Sequence, residues 1–306
     1  MHTRGAVGVR IGLVNVDGKI PNLALMKLSA WHKSQGDEVK VYDPLFDQPD
    51  RVYASKVFTF TPDYAYFPDG TEVIRGGTGY DLTTELPPEV EAMHPDYELF
   101  GCDYAVGFVT RGCIRRCSFC IVPRKEGRIR QVAEVTDFWR GQKRLMLLDN
   151  NLTAMPDVFI ETCRFLADHR IETDFSQGLD IRLIDDEKAQ ALSRVRLWKC
   201  IHFAWDNMRD ESAVRQGIEL LTRYMHPNKL MFYVLVGFDT TFDEDMHRVN
   251  TLIGYGVNPF VMVYRAQDGS EPSDRRLKHL ARWANRPALR KAASWEEYAR
   301  VKRVIA

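Results

Sequence analysis

Apolar and polar positions in this chain follow two periods that take turns. Val9 to Val16 reads as a buried strand, and Ala24, Leu28 and Trp31 then recur at i, i+4 and i+7 behind the helix-start signal Pro21-Asn22. Gly36 closes that helix and Glu38 to Tyr42 alternates as a strand, completing a βαβ unit. Val52 to Phe60 and Thr71 to Arg75 are weaker strand candidates on either side of the turn Pro68-Asp69-Gly70. From Tyr104 onward the alternation becomes regular. Strands are predicted at Ala105 to Thr110, Leu145 to Leu148, Glu172 to Ser176, Ile201 to Trp205, Leu230 to Val236 and Pro259 to Tyr264. Between them, Phe159, Cys163 and Leu166 share one helical face, as do Val214, Ile218 and Leu221, and then Phe242, Met246, Val249 and Ile253. Thr241-x-x-Glu244 has the form of a capping box.

Repeated βα units imply a parallel sheet with right-handed crossovers, and six of them curl into a partial (β/α)6 TIM-like barrel. The fold class is therefore α/β: a small Rossmann-like region over 1–98, a partial barrel over 99–270, and a C-terminal helical segment over 271–306. In parallel barrels the chemistry lies beyond the C-terminal ends of the strands. That position holds Asp149-Asn150-Asn151 after the second barrel strand, Gln177, Asp180 and Arg182 after the third, and Asp206 and Asn207 after the fourth. Gly237, Phe238 and Asp239 follow the fifth strand and Arg265 the sixth. Each could equally serve as a cap or turn residue; it is their recurrence at one rim that marks them as a site.

The stretch after the first barrel strand changes the picture most. Cys113, Cys117 and Cys120, half of the six cysteines, fall within eight residues of Gly112 to Gly127. So dense a triplet suits soft metal ions better than core packing. A cubic cluster of four irons takes four protein ligands when closed, so three thiolates leave one iron open to something other than protein. A zinc site would want a fourth ligand, for which Cys102 is the only near candidate. A disulfide framework would want a secretion signal, and Met1 to Gly12 lacks a long apolar core.

The C-x3-C-x2-C spacing, with Phe119 before the last cysteine, resembles the signature of the radical S-adenosylmethionine (SAM) superfamily. The resemblance implies a 4Fe-4S cluster on the three cysteines, SAM on the open iron, and a 5′-deoxyadenosyl radical that abstracts hydrogen from a substrate. It implies contacts to SAM from Asp149, Asn150 and Asn151 in place of the commoner Gly-Gly-Glu, from Gln177 and Arg182, and from the backbone at Gly237; Asp206 joins this set by its place at the rim. Ile121-Val122-Pro123 and Gly127 resemble the sequence that follows the cluster in radical SAM methylthiotransferases, but no cysteine precedes Cys102 to build that family's second cluster. The first hundred residues resemble a shortened Rossmann-like domain of cobalamin-binding radical SAM enzymes. They lack the D-x-H-x-x-G signature, and Gly76-Gly77-Thr78-Gly79 reads as a turn, so cobalamin is not the favoured cofactor.

Charge adds two points to a composition that is otherwise ordinary for a globular protein, 45% apolar and 27% charged in 306 residues. Lysine plus arginine equals aspartate plus glutamate at 42 each, yet Arg111, Arg115, Arg116, Arg124, Lys125, Arg128 and Arg130 surround the cysteines with only Glu126 among them. Such a basic mouth suits an acidic electron donor of the flavodoxin or ferredoxin type, or an anionic substrate. A second basic region, Arg275 to Arg303, interleaves Trp283, Trp295 and Tyr298; docking of a terminal helix is favoured over nucleic-acid binding there. No run reaches the length of a membrane span, and unpaired cysteines place the expected compartment in the cytoplasm. Cys163 and Cys200 read as structural thiols.

Overall fold

A computed structural model of the chain describes residues 8–18 and 20–304; the first part of the Met1 to Gly12 stretch lies outside them. The chain divides into two compact units, Met1–Gly107 with Thr136–Gln142, and Phe108–Val135 with Lys143–Ala306.

In the first unit, strands β1 (Arg10–Asn15), β2 (Glu38–Val41), β3 (Arg51–Ser55) and β4 (Glu72–Gly76) form a parallel sheet in the order β2-β1-β3-β4, with helix α1 (Leu23–Ser34) between the first two. Asn22 starts the helix by accepting a hydrogen bond from Leu25 N–H at 3.2 Å. Strand alternation divides the core into two faces: Ile11, Leu13 and Val39 pack with Leu25, Leu28 and Val90 of α2 (Pro88–Glu91), and Val14, Val52 and Ala54 pack with Tyr42. The buried residues of α1 are Leu23, Leu25, Met26, Leu28, Ser29 and His32, while Ala24 and Trp31 of the predicted stripe are only half-buried. Two polar residues can face inward because each has a partner: Ser29 Oγ donates to Asp96 at 2.6 Å, and His32 Nδ1 lies 2.6 Å from Asp37. The predicted strand Val52 to Phe60 stops at Ser55, and Gly76 to Gly79 is the turn expected. A Cβ on Gly77 would lie 2.4 Å from the Lys56 carbonyl, so this loop is folded onto 56–58 rather than opened toward a ligand. Strand β5 (Ala105–Gly107) ends the unit, with Tyr97 Oη donating to the Phe138 carbonyl at 2.6 Å and accepting from Val106 N–H at 3.1 Å.

The second unit opens with β6 (Thr110–Arg111), α3 (Val122–Lys125) and β7 (Arg130–Gln131), then repeats strand and helix. In order these are β8 (Arg144–Leu147), α4 (Pro156–Asp168), β9 (Glu172–Phe175), α5 (Asp186–Arg194), β10 (Ile201–Ala204), α6 (Glu211–Leu221), β11 (Leu230–Val236), α7 (Phe242–Gly254) and β12 (Asn258–Val263). β8 pairs parallel with β9, and β10-β11-β12 form a parallel sheet. A single bridge at Thr173 and Leu197 and the Leu179 N–H to His202 carbonyl bond (2.8 Å) join the two groups, which is the partial-barrel geometry expected. Residues 201, 203, 230, 232, 234 and 236 are at most 1% exposed beneath the helices, with Phe159, Cys163, Leu166, Val214, Ile218 and Leu221 packed over the sheets as predicted.

α7 departs from its predicted face. Its buried residues are Asp245, Arg248, Val249 and Leu252, while Phe242, Met246 and Ile253 are half-buried. A period count assigns charged residues to solvent, and here a charged pair is taken inside. The capping box at Thr241 and Glu244 forms as expected. α8 (Arg275–Ala284), α9 (Pro287–Ala292) and α10 (Trp295–Val301) then dock on this unit, burying Leu277, Leu280, Trp283, Trp295 and Tyr298. Asn285 follows α8 and meets the outer edge of β12: its Oδ1 accepts from Val261 N–H at 2.6 Å and its Nδ2 donates to the Val261 carbonyl at 2.9 Å. Among the described residues no helix is long and apolar enough to cross a membrane.

Candidate metal and cofactor site

The cysteine loop is a closed loop on a two-rung antiparallel base, in which Thr110 faces Gln131 and Arg111 faces Arg130. Just inside, Cys113 N–H donates to the Gly127 carbonyl at 3.2 Å. Gly112 makes that closure with φ +87°, and a Cβ there would lie 2.5 Å from the Arg128 carbonyl, so no other residue fits. The loop turns at Cys117 to Cys120, where Cys120 N–H donates to the Cys117 carbonyl at 3.0 Å, and leaves through α3. All three cysteines are half-buried. Burial first, and the neighbouring cysteines next, push the thiols of Cys117 and Cys120 up. Three thiols on one loop match an iron-sulfur cluster in the kind of donor they offer, while among the described residues no three His, Cys, Asp or Glu side chains are gathered to hold a single metal ion. Two donors already point at Cys113 Sγ: Arg115 N–H at 3.3 Å and Asn151 Nδ2 at 3.4 Å.

The predicted triplet after β8 is brought to this loop residue by residue. Asp149, 4% exposed, accepts from Val109 N–H (3.2 Å), Thr110 N–H (2.5 Å) and Thr110 Oγ1 (2.7 Å). Burial pushes its carboxyl up to about 6 against these bonds. Asn150 Oδ1 accepts from Gly112 N–H at 3.1 Å, and Asn151 reaches Cys113. The carboxylate of Asp149 therefore holds the loop's entry strand, a task sequence reasoning did not assign to it.

After β9, Gln177 is exposed, and Asp180 is the hub. Its carboxylate accepts from Arg182 Nε (2.7 Å) and Nη2 (3.1 Å) and from Arg115 Nε (2.9 Å), across 65 residues. Burial alone would raise Asp180, but the two guanidiniums hold it below the ordinary carboxylate range. Arg182 also donates to Asp210 through Nη1 at 2.9 Å, and its charge is felt at Cys117. Asp206 accepts from Leu235 N–H at 3.0 Å, and burial pushes its carboxyl up. Gly237 has φ +75°, and a Cβ there would strike Leu277 at 2.5 Å. The next residue, Phe238, meets Phe119 of the cysteine loop edge-on at 5.6 Å and Tyr264 at 4.7 Å, so the loops after β6, β11 and β12 converge.

Arg248 and Asp245, absent from the predicted set, brace this rim from behind. Arg248 is fully buried and donates to the carbonyls of Trp205 (2.6 Å) and Leu235 (2.9 Å) and to Asp245 (2.5 Å). These carbonyls immediately precede the Asp206 turn and the end of β11. The helical period of α7 concealed the pair, and Arg115 registered in the sequence only as one of seven charges. Cys102 lies in the first unit, with Sγ donating to the Tyr104 carbonyl at 3.2 Å, and Cys163 is fully buried, its thiol pushed up by burial.

No family model matches the chain. Its sequence is similar to ribosomal protein uS12 methylthiotransferase RimO of Nitrosomonas europaea, 27% identical over 141 residues, which is 45% of this chain and 30% of that protein. RimO of Pseudomonas aeruginosa is 27% identical over 142 residues (44% and 29%), and RimO of Aromatoleum aromaticum 29% over 126 residues (40% and 26%). The chain thus spans less than a third of the length of these relatives. Its fold matches the radical S-adenosylmethionine methyltransferase TsrM of Kitasatospora setae, solved with cobalamin and a [4Fe-4S] cluster bound, with a TM-score of 0.61 at 14% identity over 85% of this chain and 76% of that one. The chain is thus similar in sequence to methylthiotransferases and in fold to a radical SAM methyltransferase. The parallel sheet of the first unit is the Rossmann-like element expected, and the second unit holds five strands of the expected parallel core, β8 to β12; the first predicted barrel strand, β5, falls in the first unit.

Proposed function

We propose that this protein is a radical SAM enzyme that cleaves SAM reductively and abstracts hydrogen from a substrate. The observation that carries the reading is the convergence of Cys113, Cys117 and Cys120 with Asn151, Arg182 and Asp206 at one rim of one unit. When bound, a 4Fe-4S cluster with an open iron supplies one electron to SAM and yields a 5′-deoxyadenosyl radical. The chain's own residues provide the setting. Arg115 N–H and Asn151 direct hydrogen bonds at Cys113 sulfur, which orient it. Asp149 and Asn150 fix the loop that presents all three sulfurs. Arg182 presents a guanidinium fork beside Cys117, suited to a carboxylate such as that of SAM; Asp210, its more exposed partner, is the one such a ligand would displace. Exposed Arg116, Arg124, Arg128 and Arg130 on the loop suit an acidic electron donor.

A corrinoid-assisted methyl transfer is the second reading, because the likeness to TsrM covers more of the chain than the second unit holds. The residues at the C-terminal edge of β1 and β3, where such a sheet receives ligands, do not fit a corrinoid ligated by a side chain. Asp17 accepts from Val57 and Phe58 N–H (both 2.8 Å), and Asn22 donates to Ser55 Oγ at 2.8 Å. His32 and His94, the described histidines of this unit, are held at Asp37 and at the Pro95 carbonyl.

The deciding experiment is anaerobic reconstitution with iron and sulfide, then dithionite and SAM, with assay for 5′-deoxyadenosine. Wild type is expected to form it and Cys117→Ala to form none. Zinc bound at the cysteines without any cleavage would overturn the reading. Retention of hydroxocobalamin through desalting would move the assignment to methyl transfer.

A further inference from the structure

Away from the rim, one face of β9, β10 and β11 carries titratable groups that the proposed radical chemistry does not use. Thr173, Phe175, Ile201, Phe203, Phe232 and Val234 point toward the helices, so Asp174, His202 and Tyr233 point the other way. This inner face is not packed shut: Ala204 is exposed, and Phe260 and Met262 of β12 are each 39% exposed. Cys200, two residues before His202, places Sγ 3.6 Å from His202 Nε2. On the other side of the ring, Nδ1 is 3.1 Å from the Phe175 carbonyl and 3.5 Å from Asp174 Oδ1. Tyr233 stacks on the imidazole at 5.4 Å, and its hydroxyl donates to the Ser176 carbonyl at 3.4 Å. Asp174 is 7% exposed, and its Oδ1 has no hydrogen-bond partner among the described residues.

These contacts fix the tautomer. A carbonyl can only accept, so Nδ1 carries the proton that it donates to Phe175, and Nε2 is left with a lone pair facing the thiol of Cys200. That is the arrangement of a nucleophile and a base, with the base oriented by the Phe175 carbonyl and the Asp174 carboxyl 3.5 Å away to face the charge the base gains. We propose that Cys200, His202 and Asp174 form a second reactive site, in which the Cys200 sulfur attacks a soft carbon electrophile bearing a leaving group while His202 takes the thiol proton. In this step the S–C bond forms and the bond to the leaving group breaks, with the electron pair going to the leaving group. The proton moves to Nε2, and the imidazolium faces Asp174. Phe260, Met262 and Tyr233 provide the apolar and aromatic surface for the body of such a substrate.

The groups around the thiol show why a base is needed. Burial, and then Asp174, push Cys200 up, against the pull of Lys199 and Lys229. Asp174 is itself pushed up by burial against His202 and Lys199, and Tyr233 is pushed up by burial and by Asp174 and Cys200. Cys200 therefore rests as a thiol, and its attack depends on proton removal at the moment of reaction.

The test uses iodoacetamide on the intact protein without added iron or SAM, with each cysteine followed by peptide mass spectrometry and Cys102 as internal reference. Cys200 is expected to alkylate at pH 7 at least about tenfold faster in wild type than in His202→Asn. Asp174→Asn should lower the rate by a smaller factor, and Cys102 should be unchanged in both. An equal Cys200 rate in wild type and His202→Asn, or labelling of Cys200 only after denaturation, overturns the proposal. If His202→Asn does not fold, the wild-type pH–rate profile decides: base assistance gives a plateau below the ordinary thiol range of about 8.5, and a rate that climbs throughout that range refutes it. No part of this test involves the cluster, so its failure leaves the radical reading untouched.

Discussion

Asp17 and Asp149 stand in equivalent places, each just beyond the C-terminal end of a buried parallel strand, and each accepts two backbone N–H groups from a neighbouring loop. Asp17 is part-exposed, and the loop it holds, at Val57 and Phe58, runs on to Thr61, whose carbonyl accepts from Lys56 Nζ at 3.2 Å. Asp149 is buried, and the loop it holds carries the three cysteines. One device thus serves two ends. Holding a strand edge to a loop makes a scaffold in the first unit, and the same bonds make a site in the second because of what the loop bears. The second unit also reinforces its rim from three further directions, through Asn150 at Gly112, Asp180 at Arg115 and Arg248 at Trp205 and Leu235.

The contrast breaks most completely at the cysteine loop itself. Gly112→Val is expected to prevent closure on Arg128, so that reconstituted protein holds background iron and forms no 5′-deoxyadenosine; full iron content would show that the closure is dispensable. Arg248→Met should cost about 3–5 kcal/mol in urea unfolding, because it leaves Asp245 buried without its partner and orphans two carbonyls. A loss no larger than that of a surface change would mean that the rim does not rely on this brace.

Asp149 gives a pH signature. Its folded carboxyl, near 6, lies above the ordinary value of 3.8, so the folded state binds this proton more tightly than the unfolded state does. The stabilising contribution is therefore complete below about 4 and is lost as pH rises through about 6. Metal-free wild type should lose on the order of 2–3 kcal/mol more than Asp149→Asn between pH 4 and 7. Parallel pH profiles for the two proteins would place the charge elsewhere. The smallest effect is expected at the counterpart: Asp17→Asn should cost about 1 kcal/mol of stability and leave SAM cleavage at the wild-type rate. A drop in cleavage would make the first unit part of the reaction.

Much of this was legible in the sequence because it is local. Six strands, the helices behind Phe159 and Val214, the capping box at Thr241 and the cysteine spacing all depend on residues within a few positions of one another. The rest depends on distance. Nothing near Arg115 in the chain announces Asp180, and nothing near Asp149 announces that its partners are Val109 and Thr110. The face of α7 was misjudged because periodicity sends Asp245 and Arg248 outward, whereas each finds inside the partner that makes burial tolerable. In α1 the same reason places Ser29 and His32 on the inner face.

Asn285 has a consequence beyond its two bonds. An incomplete barrel ends in a strand whose outward N–H and C=O groups could recruit a strand from another molecule. The amide of Asn285 answers Val261 with one acceptor and one donor, as a neighbouring peptide group would, so one side chain caps this position of the edge. The end of α8 thereby covers this position of the edge. Asn285→Leu would leave the barrel's interior unaltered while making its flank adhesive, and would first appear as concentration-dependent aggregation rather than as lost catalysis.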